Sequence, residues 1–158
     1  MRVVLDASAI IYLNDFSKFD EIYTVPEVID EVKDRTSRLK IATINLQVKE
    51  PNFNSIMDVT QMAKETGDLE KLSSTDIKIL ALAKTTGSTI ISDDYSLQNV
   101  AEKMRIPYLS LFNKKIQQLI IWKKICKSCG RKYYKGKVCK VCGGKLYRIP
   151  REIKKIKK

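Results

Sequence analysis

The chain's four cysteines are the residues whose type and spacing most clearly specify a chemistry. They form two CxxC pairs, Cys126 with Cys129 and Cys139 with Cys142, and a glycine follows each pair. A CxxC turn directs two thiolates to one point, and two such turns facing each other make a tetrahedral site that suits zinc. Neither pair includes a histidine or an acid, so sulfur would fill every coordination position and the ion would be structural. Two disulfides of a secreted protein are the alternative, and the lack of an apolar export signal disfavours it.

A second chemically capable set is acidic and is spread over the first 112 residues. Asp6 follows a short apolar run, Glu31 lies on a predicted helix, Asp76 lies where a helix begins, and Asp93 and Asp94 follow a β-branched run. Carboxylate oxygens in this number suit Mg²⁺ or Mn²⁺ better than zinc. A divalent ion held there would activate water and stabilise charge on a phosphate, which is the chemistry of phosphodiester hydrolysis. The chain has no histidine, so the usual general base is missing.

Hydroxyl side chains flank the acids and are expected to orient them or to hold a water. They are Ser8, Ser74, Thr75 and Ser92. Most of the acids also have an ordinary structural interpretation. Asp76 would complement a helix dipole, Asp93 and Asp94 would form a turn, and Glu31 would be a solvated helix residue. Asp6 favours function, because packing does not explain a carboxylate directly after Val-Val-Leu.

The elements that must position the acids alternate between strands and helices. Strands are predicted at 3–5, 22–25, 89–92 and 106–109, and helices at 7–11, from 26 onward, at 38–46, 54–66, 73–87 and 97–104. This alternation predicts an α/β fold in which a central parallel sheet is covered by helices on both faces. Sites in such sheets form beyond the carboxyl ends of the strands. We therefore expect the acids to converge in one crevice that holds Mg²⁺ or Mn²⁺.

Charge divides the chain into two parts. Residues 1–112 carry 13 Lys and Arg against 17 Asp and Glu, whereas residues 113–158 carry 17 against one. An acidic body with a strongly basic module favours a nucleic-acid partner, the alternative being a merely solvated basic face. The predicted organisation is a domain at 1–112, a connector at 113–121, a zinc ribbon at 122–150 and a disordered basic tail at 151–158. No run is apolar enough to cross a membrane, and we expect a cytoplasmic protein.

The ribbon combines cations with aromatic rings, a pattern suited to RNA, because cations bind phosphates and rings stack on unpaired bases. The candidate RNA-binding residues are Lys123, Lys124, Lys127, Arg131, Lys132, Tyr133, Tyr134, Lys135, Lys137, Lys140, Lys145 and Arg148. Two alternatives remain open. The tyrosines would instead pack the small core of the ribbon, and Trp122 would dock the connector on the first domain.

Four segments in order resemble the PIN-domain ribonucleases, which are metal-dependent nucleases with a compact α/β/α sandwich. They are residues 3–8 (VVLDAS), 25–32 (VPEVIDEV), 72–83 (LSSTDIKILALA) and 91–95 (ISDDY). Followed by a Cys₄ zinc ribbon, this succession resembles the Nin-one-binding endonuclease family in its short archaeal form. Members of that family make the cut that produces the mature 3′ end of small-subunit rRNA.

The resemblance implies roles for particular residues. Asp6, Glu31 and Asp76 match the first three acidic positions of the family. The fourth maps onto Asp93 and Asp94, and it favours Asp94 as the ligand with Asp93 beside it. The implied cofactors are one structural Zn²⁺ and catalytic Mg²⁺ or Mn²⁺, and the implied partner is precursor small-subunit rRNA in the nascent small ribosomal subunit.

Three functions are compatible with these residues. The favoured one is an endoribonuclease whose acidic crevice cuts RNA that the ribbon holds. The second is a non-catalytic RNA-binding assembly factor with a degenerate nuclease domain. The third is a toxin-like PIN ribonuclease that acts on tRNA or mRNA.

Overall fold

The protein forms an α/β domain followed by a small antiparallel sheet. The computed structural model describes residues 1–112 and 115–156. Its elements in chain order are β1 (Arg2–Leu5), α1 (Ala7–Tyr12), β2 (Glu21–Thr24), α2 (Pro26–Glu31), α3 (Arg35–Thr43), β3 (Leu46–Val48), α4 (Phe53–Thr66), α5 (Ser74–Thr86), β4 (Thr89–Ile91), α6 (Tyr95–Met104), β5 (Tyr108–Leu109), β6 (Gln118–Cys126), β7 (Lys132–Tyr133) and β8 (Leu146–Lys155).

The central sheet is parallel throughout and has the strand order β3-β2-β1-β4-β5. The apolar runs of β1 and β4 are buried because both lie inside the sheet, with helices covering them. The chain leaves β1 towards one edge of the sheet and later returns to the other edge through β4. A crevice opens at such a reversal, beyond the carboxyl ends of the two strands. The predicted α/β class is confirmed.

The helices begin and end at residues suited to those positions. Ser73 and Asn52 accept a hydrogen bond from a main-chain N–H in the first turn of the helix they precede. Gly67 and Gly87 end the same two helices in the left-handed conformation that glycine adopts without strain. None of the helices in the described ranges is long and apolar enough to cross a membrane.

The region after α2 differs from its prediction. A helix was expected at 38–46, whereas α3 ends at Thr43 and β3 follows as a new edge strand. This three-residue strand, Leu-Gln-Val, is only partly buried and has no continuous apolar run to reveal it. Its pairing with β2 depends on a neighbour about 24 residues away in the chain.

The second sheet overturns part of the predicted organisation. β6 begins inside the expected connector, and β8 runs through Lys155, so the prediction of a disordered tail is wrong for residues 151–155. The two strands pair from Gln118 with Lys155 to Cys126 with Leu146, and each supplies the hydrogen bonds that the other needs. The register shifts beside Trp122, which pairs with Pro150, a residue that has no N–H to donate. Residues 113 and 114 of the connector and 157 and 158 of the tail lie outside the described residues.

The stem formed by β6 and β8 packs against the α/β domain at the connection between α4 and α5. Gly67 makes this approach possible, because a Cβ there would lie 2.6 Å from the carbonyl oxygen of Trp122 and 2.8 Å from its Cβ. That contact agrees with the expectation that Trp122 docks the connector on the first domain.

A buried polar cluster fixes the same junction. Asp68 is 1% exposed and accepts hydrogen bonds from the Arg148 guanidinium and, at 2.7 Å, from Nδ2 of Asn99. Asn99 also bonds both main-chain groups of Ile120, and the Arg148 guanidinium lies 4.1 Å from the ring centre of Trp122. An ionised group at this depth is retained only when it is paired, so the cluster holds the stem in one orientation.

Candidate functional site

Four of the predicted acids line one open cleft at the strand-order reversal. The cleft has a volume of about 350 Å³ and is lined by Asp6, Ala7, Ser8, Val28, Glu31, Thr75, Asp76, Ile79 and Asp94. Asp6 follows β1, Asp94 follows β4 after two residues, Glu31 ends α2, and Asp76 lies in the first turn of α5. Parallel strands and their helices therefore bring together residues up to 88 positions apart.

Asp6 is the most constrained acid of the cleft. One oxygen, Oδ1, accepts hydrogen bonds from the Ala9 N–H at 2.6 Å and from the Ser8 hydroxyl at 2.8 Å. Burial raises the pKa of the Asp6 carboxyl above its ordinary value, and the charge of Asp76 adds to this, while hydrogen bonds from Ser92, Ala9 and Ser8 oppose it. Ionised Asp6 thus lacks a compensating positive charge, which a bound cation would supply.

Two further acids are oriented by hydroxyls of α5. Glu31 accepts a hydrogen bond from Thr75 Oγ1 at 2.9 Å, as expected of that threonine. Asp76 Oδ2 accepts from the N–H and the hydroxyl of Ser73, both at 2.7 Å. Ser74, one of the hydroxyls expected to orient an acid or to hold a water, is exposed on the first turn of α5. Ser73 was not among those hydroxyls, and the Ser-x-x-Asp spacing of a capping box is the sequence signal that would have identified it.

The structure separates the two neighbouring aspartates. Asp94 lines the cleft, and its Oδ1 accepts from the Leu97 N–H at 2.8 Å at the start of α6. Asp93 is not among the residues that line the cleft, and its catalytic role stays a prediction. Its Oδ1 accepts from the hydroxyl of Ser110 and from the Leu111 N–H at 2.9 Å, and these groups turn the carboxylate towards the chain after β5.

The cleft offers oxygen donors for a cation, but these donors are widely spaced. Its four carboxylates are hard oxygen donors, which Mg²⁺ and Mn²⁺ prefer. Within residues 1–112 and 115–156, however, only the cysteines form a group of three or more side chains close enough to hold one ion. The acids are therefore too far apart to enclose a cation completely. They suit Mg²⁺, which keeps several waters and binds through one or two carboxylates.

The cysteines form a compact cluster at the other end of the molecule. All four are free, and their sulfur atoms lie within 4.8 Å of one another. Cys126 and Cys142 are 3.4 Å apart at sulfur, and Cys129 and Cys139 are 3.6 Å apart. Sulfur ligands at ~2.3 Å in a tetrahedral shell are about 3.8 Å apart, so the cluster matches a four-sulfur metal site.

Glycines and one tyrosine shape this cluster. Gly130 and Gly143 follow the two CxxC pairs with φ of 73°, as the tight turns require. Gly144 leaves room for sulfur, since a Cβ there would lie 3.0 Å from Cys126 Sγ. The Tyr133 hydroxyl lies 3.1 Å from Cys139 Sγ, and this hydrogen bond is the main reason that the pKa of the Cys139 thiol falls to about 5. Tyr133 therefore supports the sulfur cluster and the ribbon core, in line with the alternative interpretation of the tyrosines, and RNA binding by its ring stays a prediction.

The basic residues of the ribbon divide into a free set and a docked set. Lys124 pairs with Glu70, and Arg148 pairs with Asp68, so both help to hold the ribbon on the α/β domain, and RNA binding by these two residues stays a prediction. Lys123 is half-buried on β6. The members that remain exposed are Lys127, Arg131, Lys132, Tyr134, Lys135, Lys137, Lys140 and Lys145. These eight define what we call the basic surface.

Comparison with known proteins agrees with this geometry. A family model described as the PIN domain of ribonuclease matches residues 3–85. The chain is 37% identical over 137 residues to endoribonuclease Nob1 of Pyrococcus abyssi, covering 84% of this chain and 82% of that protein. It is also 37% identical over 134 residues to endoribonuclease Nob1 of Archaeoglobus fulgidus, covering 82% and 80%. Ribonuclease VapC1 of Thermoplasma acidophilum is 36% identical over 138 residues, covering 86% and 71%.

Proposed function

The chain belongs to the Nob1 endoribonucleases, a family with a PIN domain, and from this premise we propose that its acidic cleft cuts precursor small-subunit rRNA at the 3′ end. The observation that carries the proposal is the convergence of Asp6, Glu31, Asp76 and Asp94 on one cleft. One or two of these four carboxylates would hold Mg²⁺ or Mn²⁺ directly, and waters would complete its shell. The bound ion would supply an activated water and would stabilise the negative charge that develops on the phosphate.

The residues of the cleft prepare it for this reaction. Ala9 and Ser8 fix one oxygen of Asp6, Thr75 fixes Glu31, and Ser73 fixes Asp76, so little reorganisation is needed when a cation binds. Without a cation, the clustered negative charge repels RNA phosphates. We infer that a divalent ion is required for the chemistry at the scissile phosphate.

The proposed setting is the cytoplasm, where the enzyme would act on the nascent small ribosomal subunit. The experiment that tests this function uses a transcript spanning the 3′ boundary of the precursor, incubated with the full chain and Mn²⁺. We expect one dominant cut at the boundary, which disappears when EDTA is added. Absence of a specific metal-stimulated cut would favour the non-catalytic assembly factor instead.

A second candidate activity is favoured by one comparison, because the chain is similar to ribonuclease VapC1. In this alternative the same cleft would cut tRNA or mRNA. The precursor assay separates the two when equal amounts of tRNA and precursor compete in one reaction. If the tRNA is cleaved faster than the precursor, cleavage of tRNA or mRNA would replace the ribosomal proposal.

We propose that the basic surface binds RNA and that a Zn²⁺ in the cysteine cluster holds that surface in shape. Each phosphate of single-stranded RNA that a cation neutralises contributes ~0.7 to the slope of log affinity against log salt. Replacing Lys135, Lys137 and Lys140 by glutamine should therefore lower the slope by about 2, as measured by fluorescence anisotropy between 50 and 300 mM salt.

The matched control replaces three lysines of the nuclease domain, Lys64, Lys71 and Lys103, which removes the same charge elsewhere. It should change the slope by no more than ~0.7, the contribution of one phosphate. An equal decrease in both triple variants would mean that net charge alone determines RNA binding.

A further inference from the structure

Two exposed aromatic side chains, one at the end of α1 and one after β5, contact each other. Tyr12 is 59% exposed and Phe112 is 54% exposed, although their ring centres are only 5.4 Å apart in an edge-to-face arrangement. Large rings with this much exposed surface contribute little to the core of the domain. They present open π-faces, which are the surfaces on which nucleobases stack.

Both rings are joined to the acids of the cleft through short segments of the chain. Tyr12 is the last residue of α1, and Asp6 is the residue directly before that helix. Six helical residues span about 9 Å, which places Tyr12 within one or two nucleotides of the cleft. Phe112 follows β5, and its N–H approaches Asp93 Oδ1 at 3.4 Å, one residue from Asp94 of the cleft.

Charged groups hold the main chain beneath each ring. The Lys40 ammonium donates to the carbonyls of Ile11 at 2.7 Å and Leu13 at 3.0 Å, on either side of Tyr12. Asp93 likewise holds the main chain next to Phe112, because its Oδ1 accepts a hydrogen bond from the Leu111 N–H. The pair is therefore positioned before any ligand arrives, which lowers the entropy lost on binding.

In this acidic domain, a group of cations lies on and just before α3, the helix that packs beside α1. Residues 33–40 carry a net charge of +3, and α3, which supplies most of it, packs beside α1. Lys33, Arg35 and Arg38 are exposed, and none of the ion pairs found in the described part of the chain involves them. Their charge complements an RNA backbone that passes the rings.

We propose that Tyr12 and Phe112 form a stacking site for one unpaired base of the RNA, and that the three cations of residues 33–38 bind the adjoining phosphates. This inference rests on the proposed function and adds to it a subsite within the nuclease domain. The stacking site gives the enzyme a second RNA-binding site, separate from the basic surface of the ribbon. The base next to the scissile phosphate would be held by these rings.

The test is an abasic scan of a 12-nucleotide single-stranded RNA that spans the cut site. Each nucleotide in turn is replaced by an abasic residue, and binding to the full chain is measured by anisotropy without Mg²⁺ or Mn²⁺. In the unmodified protein we expect one or two positions at which loss of the base weakens binding about 10-fold, the size of one stacking contact. In the double variant Tyr12→Ala, Phe112→Ala the same abasic positions should have no further effect.

Two variants control for nonspecific effects. Phe53→Ala removes a 72% exposed ring from the start of α4 and should leave the abasic profile unchanged. Tyr12→Trp keeps a stacking face and should retain the affinity. Thermal unfolding of each variant confirms that it is folded.

The proposal is overturned if the abasic positions remain equally sensitive in the double variant, or if Phe53→Ala changes the profile as much. It is also overturned if a duplex of the same sequence binds as tightly as the single strand. Because the assay measures binding and contains no catalytic ion, its outcome is independent of whether the cleft cuts RNA. A failure of the nuclease proposal is therefore distinguishable from a failure of the stacking site.

Discussion

Asp6→Asn should reduce Mn²⁺-dependent cleavage of the precursor by about a thousandfold while RNA affinity stays within about twofold. The asparagine keeps an oxygen for the Ala9 N–H and remains a good residue to begin α1, but it removes the negative charge that would hold a cation. Because burial raises the pKa of Asp6, the neutral side chain is better tolerated at this position than the carboxylate. The melting temperature should therefore stay the same or rise.

Single-turnover cleavage and anisotropy measured on the same preparation check this result. The matched control is Asp58→Asn, which neutralises an exposed aspartate of α4 and should cut at the normal rate. Asp94→Asn should resemble Asp6→Asn. Asp93→Asn should keep most activity, because its carboxylate faces the chain after β5 and an amide oxygen can still accept from the Leu111 N–H. Undiminished cutting by Asp6→Asn and Asp94→Asn would reject the cleft as the active site.

Removal of zinc should unfold the cysteine turns while the nuclease domain stays folded. Structural zinc sites contribute ~10–16 kcal/mol of apparent binding free energy, which exceeds what the small ribbon core can supply. That core consists of Cys126, Cys139 and Leu146, with Tyr133 packed against it. Chelation should therefore release one zinc per chain and weaken RNA binding by at least about tenfold, since the basic surface loses its shape.

Hydrogen exchange followed by mass spectrometry locates the change. We expect loss of protection between residues 126 and 146, with protection retained in the stem near Ile120, which Asn99 holds to the nuclease domain. Trp122 is the only tryptophan and lies at that junction, so its fluorescence reports whether the stem stays docked. Cys142→Ser should reproduce the chelated state without a chelator. One calorimetric transition that includes the nuclease domain would contradict the prediction.

The junction between the two parts has consequences for both experiments. Acids of the α4–α5 connection, Asp68 and Glu70, bind Arg148 and Lys124 of the ribbon. The cleft and the basic surface therefore belong to one oriented unit, and RNA bound to that surface would have a defined approach to the acids. The opposite charges of the two parts, evident from composition, are used here for docking.

Local features of the sequence were enough to determine several parts of this protein. The CxxC spacing, the glycines after each pair, the apolar run before Asp6 and the helix start at Ser73 all act within a few residues. Short-range chemistry is what fixes turns, caps and metal knuckles, and so these predictions required no knowledge of the fold. The alternation of strands and helices likewise predicted the parallel sheet.

Long-range contacts decided what the sequence left open. Asp94 rather than Asp93 enters the cleft because Ser110 and Leu111 capture its neighbour, and Arg148 docks the ribbon on the first domain because buried Asp68 requires a cation. The basic segment at 151–155 becomes a strand because β6 supplies its hydrogen bonds. In each case the deciding partner lies 17 to 80 residues away, so only the folded chain could determine which side chain lines the cleft and which holds the protein together.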